Sequence, residues 1–115
     1  MEHRIEFVIR DARPDTAETL RQYALRRLSF ALRRFDNRVR HVTVRILDEN
    51  GPRRGVDARC SMTAELTDGR RVFVDATTAR PFASITEAAE RLRDVLRREL
   101  GRAAAHRDHS PSLSF

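Results

Sequence analysis

Apolar residues in this chain recur at every second position in four runs and at helical spacing in two, and the order of those runs leaves few folds open. Ile5, Phe7 and Ile9 alternate with Arg4, Glu6 and Arg10, the period of a half-buried strand. The next segment opens at Asp15, with Glu18 three positions on. That is a capping-box pattern directly after Pro14, and helical spacing continues to about Phe35. Val42, Val44 and Ile46 then alternate with His41, Thr43 and Arg45 until Asn50, Gly51, Pro52 and Gly55 break the pattern into a loop. Ala58, Cys60, Met62, Ala64 and Leu66 form one face of a third strand, and Val72, Val74 and Ala76 one face of a fourth. Asp68-Gly69 lies between them as a hairpin signal, because it tolerates positive φ. Beyond Pro81, the spacing of Phe82, Ile85, Ala88, Ala89, Leu92, Val95, Leu96 and Leu100 predicts a second amphipathic helix, with Gly101 near its end.

The order is β-α-β-β-β-α, an α+β fold without repeats. Strands joined through a helix should be parallel neighbours with a right-handed crossover, and the rest should form an antiparallel meander. Two amphipathic helices then cover one face of a four-stranded sheet. At 115 residues the chain suits one domain with one modest core. Residues 1–102 are expected to form that domain and 103–115 a flexible polar tail. No run approaches the roughly 20 apolar residues of a membrane span. The amino terminus enters the first strand pattern without an apolar leader, so a cytoplasmic location is expected. Cys60 is the only cysteine, which excludes an internal disulfide and a cysteine-based metal site.

The 23 basic residues, all arginine, outnumber 17 acids for a net charge of +6, which favours a polyanionic partner. The absence of lysine fits a codon bias as well as a need for bidentate phosphate contacts. Residues 15–40 carry seven arginines against three acids and so supply four of the six net charges. On a helical wheel, Ala17, Leu20, Ala24, Leu28, Ala31 and Phe35 form the stripe that faces the sheet, with Arg26 and Arg33 opposite. Along one edge Tyr23, Arg27, Phe30 and Arg34 interleave rings with guanidinium groups. Such a ridge suits phosphates and exposed bases, and equally suits a core margin beside a solvated face. In the second helix Arg91, Arg98 and Arg102 lie on one flank and Arg93 and Arg97 on the other. Glu87 with Arg91 and Asp94 with Arg98 are spaced as i,i+4 ion pairs. Arg53 and Arg54 in the loop are placed to reach a phosphate backbone or simply to solubilise it.

The inventory for chemistry is poor. The sequence has no phosphate-binding glycine loop, nucleophile elbow or dinucleotide fingerprint. His106 and His109 lack a third ligand nearby, His3 and His41 are isolated, and Asp48 with Glu49 borders a loop. No enzyme, cofactor, metal or small-molecule substrate is expected.

With these residues placed, residues 4 to 102 resemble the ribosome hibernation promoting factor family, also called ribosome-associated inhibitor A or short sigma-54 modulation proteins. The resemblance rests on Leu20, Arg21, Gln22 and Tyr23, with Arg27 and then Phe35 before Asp36. In the second helix it rests on Phe82, Ala83 and Ile85 followed by Arg91, Leu92, Leu96, Arg98 and Arg102. It implies a fold similar to double-stranded-RNA-binding domains. It also implies docking on the small ribosomal subunit and its rRNA near the decoding region, which blocks mRNA and tRNA binding in resting or stressed cells. The matching basic positions are Arg21, Arg27, Arg91, Arg98 and Arg102, to which the ridge adds Arg34. The sequence departs from the family at Arg80, where an acid is common, at Pro81 and in the 50–55 loop. It also lacks the carboxy-terminal dimerisation domain of long members, so a ribosome-dimerising role is not expected; the free chain is expected to be a monomer. The alternative is a protein-protein module that pairs through its sheet edge, or through its basic helix with an acidic partner.

Overall fold

The computed structural model describes residues 4–10, 12–49 and 57–101, without the side chains of Asp48 and Glu49. Arg53, Arg54, Arg102, His3, His106, His109 and the expected tail 103–115 lie outside the described residues. The element order is β1 (Arg4–Arg10), α1 (Pro14–Leu32), β2 (Val39–Glu49), β3 (Asp57–Leu66), β4 (Arg71–Thr78) and α2 (Pro81–Leu96), the order expected from the spacing. A 3-10 segment, Arg33–Arg38, follows α1, and a π turn, Arg97–Gly101, follows α2. The sheet has the order β1-β2-β3-β4. β1 pairs parallel to β2, and β2, β3 and β4 are antiparallel neighbours.

Strand parity follows the sequence. Ala58, Cys60, Met62, Ala64 and Leu66 are all buried, as are Val42, Val44, Ile46, Val74 and Ala76. Leu20, Ala24, Leu28 and Ala31 of α1 and Ile85, Ala88, Ala89, Leu92 and Leu96 of α2 close one core with them. At about 25 cal/mol per Å² of apolar surface, burial of this set is the main stabilising term. Val39 also points inward, out of step with Val42, because the register shifts between Val39 and His41. The extra residue of a bulge reverses parity, so one strand can bury both positions.

Both helices start on proline. Arg13 is the residue before α1 and Pro14 its first helical residue, so Asp15 is not the cap that the Asp15/Glu18 pattern predicts. Proline lacks the N–H that a cap would satisfy and has a helical φ already, so it takes the first position. Asp15 accepts the Thr16 N–H instead, at 2.9 Å. At its other end α1 stops short of Phe35. Leu32 and Phe35 stand three apart, and the tighter 3-10 turn superposes such residues, which keeps both in the core.

The β3–β4 turn is the expected hairpin, with Gly69 at φ +95°. Asp68 accepts the Arg70 backbone N–H at 3.0 Å and the Arg70 Nε–H at 2.9 Å, which holds its carboxyl below the ordinary value. Arg70 also bonds Glu99 at 3.0 Å and so ties this turn to the end of α2.

Candidate nucleic-acid interface

The two helices lie side by side and run in the same direction. Tyr23 meets Thr86 with oxygens 2.6 Å apart, Arg27 meets Glu90 at 3.9 Å, and Phe30 meets Arg93 with guanidinium to ring centre 5.9 Å. Partners thus advance together along both axes, which only parallel helices allow. Both carboxy-terminal ends therefore fall at one end of the domain, where the carbonyl ends of the helix dipoles favour cations. Arg33 and Arg34 follow α1 there, and Arg97 and Arg98 follow α2.

The six arginines singled out by sequence do not share one environment. Arg34 and Arg98 are exposed and form no ion pair among the described residues. Arg98 was expected to pair with Asp94, but Asp94 bonds Arg97 at 3.0 Å instead. The wider π turn rotates residue 98 off the i,i+4 line of a regular helix. Arg27 sits between the helices with its Nε buried and without a hydrogen-bond partner. Arg21 lies on the other side of α1, over the Phe7 ring at 5.9 Å. It donates to both Glu18 oxygens, at 3.1 and 2.9 Å. Those bonds, followed by one from Gln22, hold the Glu18 carboxyl below its ordinary value and raise that of Arg21. Arg91 lies on the β4 side of α2, where it donates to the Asp75 carbonyl and stands 3.7 Å from Glu87, the second expected pair. Arg102 lies outside the described residues.

The aromatic ridge divides in the same way. Tyr23 is half-buried and packs edge-on against Phe82, ring centres 5.1 Å apart. Phe30 is 56% exposed, with Arg33 over its ring at 5.5 Å as well as Arg93. Arg27, Phe30, Ala31, Ala89, Glu90 and Arg93 line a small cleft between the helices. Arg93 was not among the predicted site residues, and only the α1–α2 contact brings it to Phe30. The one signal in the sequence was its place on the second basic flank.

Among the described residues no helix is long and apolar enough to cross a membrane, and no group of three or more metal-ligating side chains is arranged to hold an ion. One sheet beneath two parallel helices, with an arginine-rich rim where both helices end, defines a small cationic α+β domain. The chain belongs to the sigma 54 modulation protein / S30EA ribosomal protein family, which it matches over residues 7–104. Its fold is similar to the Protein Y N-terminal domain of Thermus thermophilus (TM-score 0.66, 21% identity, 85% of this chain and 98% of that one). It is also similar to a ribosomal subunit interface protein from Coxiella burnetii (TM-score 0.65, 12% identity, with 85% and 98% covered). No curated protein matches the sequence.

Proposed function

We propose that this chain is a stoichiometric translation inhibitor of the cytoplasm that binds small-subunit rRNA near the decoding region and keeps mRNA and tRNA out in resting or stressed cells. It acts without turnover, cofactor or small-molecule substrate. Family membership supports the ribosome as partner. The Coxiella burnetii protein of similar fold is a ribosomal subunit interface protein, which agrees with that partner.

The observation that carries the reading is the pair of exposed arginines, Arg34 and Arg98, at the common end of two parallel helices without an ion pair among the described residues. A guanidinium without a protein carboxylate keeps its full attraction for phosphate. Arg27, Phe30 and Arg93 supply a second group of contacts where a base can stack. Arg21 and Arg91 are already bonded within the domain and set the orientation of the surface. Arg102, which matches a basic position of the family, is a further candidate contact.

Sedimentation with purified small subunits tests this. The wild-type chain should comigrate, and changing Arg34 and Arg98 together to glutamate should abolish comigration while leaving the melting temperature unchanged. A wild-type chain that stays at the top of the gradient would point instead to a protein-protein module.

A further inference from the structure

Both helices cover one face of the sheet, and among the described residues the opposite face is open. β1 contributes Arg4, Glu6, Val8 and Arg10 to that face, and β2 contributes His41, Thr43, Arg45 and Leu47. β3 adds Arg59, Ser61, Thr63 and Glu65, and β4 adds Arg71, Phe73 and Asp75. Register sets these residues in rows across the strands. Phe73 lies beside Thr63 and Thr43, and Asp75 beside Ser61 and Arg45. The short side chains in the centre leave an open concavity of about 440 Å³, lined in part by Val8, Arg10, Arg45, Leu47 and Phe73.

Two properties of this face call for a partner. Phe73 is 58% exposed. Unlike Phe30 and Phe82, it has no ring or guanidinium against it among the described residues. The charges are also unbalanced. Glu65 is taken by Arg40 at 3.7 Å and Asp75 by Arg59 at 2.7 Å, while Glu6 lies 3.5 Å from the His41 imidazole. Arg4, Arg10, Arg45 and Arg71 are left exposed without a carboxylate partner among the described side chains, against Glu6 and the exposed Asp57 at the start of β3.

We propose that the open sheet face binds a single RNA strand, with one base stacked on Phe73 and the backbone phosphates held by Arg10, Arg45 and Arg71. An aromatic ring standing on a sheet among guanidinium groups offers the stacking platform and the charge that an unpaired strand requires. A duplex hides its base faces and cannot use the ring. The surplus of arginine disfavours a basic or neutral peptide, and the polar rows around Phe73 disfavour a purely apolar contact between two copies. This site is separate from the helical surface of the proposed function, and neither requires the other.

The test is a titration of the full chain with a labelled single strand of about eight nucleotides and with an RNA duplex of equal length. Phe73→Thr, which keeps strand propensity, should weaken single-strand binding about five- to a hundred-fold. Phe73→Tyr should restore it, Arg45→Glu should weaken it, and Arg34→Glu with Arg98→Glu should leave it within about two-fold. Duplex binding should not respond to Phe73→Thr. Wild-type affinity in both the Phe73→Thr and Arg45→Glu proteins would overturn the proposal. So would equal competition by poly-glutamate, which would mark a site for acidic proteins, or a Phe73-dependent dimer in sedimentation equilibrium with unchanged RNA binding. Because no ribosome is present, failure here leaves the comigration experiment untouched, and the converse also holds.

Discussion

The Tyr23 hydroxyl and Thr86 Oγ1 lie 2.6 Å apart and join α1 to α2 by a side-chain hydrogen bond, at the level where the Tyr23 ring meets Phe82 edge-on. The bond fixes the lateral setting of the helices and thus the distance between the arginines on either side. Tyr23→Phe keeps the ring and should cost about 0.5–1.5 kcal/mol in urea unfolding, with an unchanged denaturant slope. Tyr23→Ala also removes the ring contact and should cost more. A Tyr23→Phe protein as stable as wild type would show that water replaces the bond without loss.

Among the described residues Ser84, in the first turn of α2, is a fully buried polar side chain. Its Oγ lies 2.6 Å from the Ala58 carbonyl oxygen, 3.1 Å from the Thr78 N–H and 2.8 Å from Thr78 Oγ1. Ser84→Ala leaves the Thr78 N–H and hydroxyl without that partner and should destabilise the domain by about 1–3 kcal/mol. Thermal melts would check this, and a shift of less than a degree would contradict it.

Burial pushes the Cys60 thiol from 9.0 up to about 12. The folded chain should therefore resist thiol-reactive disulfides at pH 8 and react only after unfolding, because thiolate is the attacking species. The raised value also has a linkage consequence. Its contribution to stability is complete below the unfolded-state value near 9 and is lost as pH rises through the folded value near 12. Cys60→Ala should remove that part of the alkaline destabilisation. Rapid labelling of the folded chain at pH 8 would refute the assignment.

If about six phosphates are engaged on the small subunit, the log–log salt slope of binding should be roughly −4 to −5. Arg98→Ala should make it shallower by about 1, whereas Arg21→Ala, which removes a guanidinium already bonded to Glu18, should change it less. A slope near zero would exclude phosphate contact as the source of affinity.

Local rules made the elements legible. Side-chain alternation gave each strand its buried face, and Asp68-Gly69 gave the hairpin, because both depend on neighbours within a few residues. What sequence could not show is set across the chain. The inward turn of Val39 needs the bulge against β3, and the 3-10 turn at Phe35 answers to space in the core. The same division holds at the candidate site. Wheels singled out Arg27, Arg34, Arg91 and Arg98, of which Arg27 and Arg91 lie within the helices and Arg34 and Arg98 in the turns that follow them. They could not show that Arg91 is bonded to the Asp75 carbonyl, that Arg98 loses Asp94 to Arg97, or that Arg93 stands over Phe30. Those outcomes depend on the π turn and on the parallel packing of two helices distant in sequence.

The parallel pairing of β1 has a consequence for how the domain breathes. Among the described residues β1 has β2 as its one neighbour, and its inward residues Ile5, Phe7 and Ile9 are only half-buried, whereas those of β2 and β3 are sealed. Local opening is cheapest where buried contacts are fewest. Amide protons of β1 should therefore exchange with solvent ahead of the rest of the sheet. When β1 lifts away it uncovers the backbone edge of β2, so the weakest seam of this domain is also a place where a foreign strand could be received.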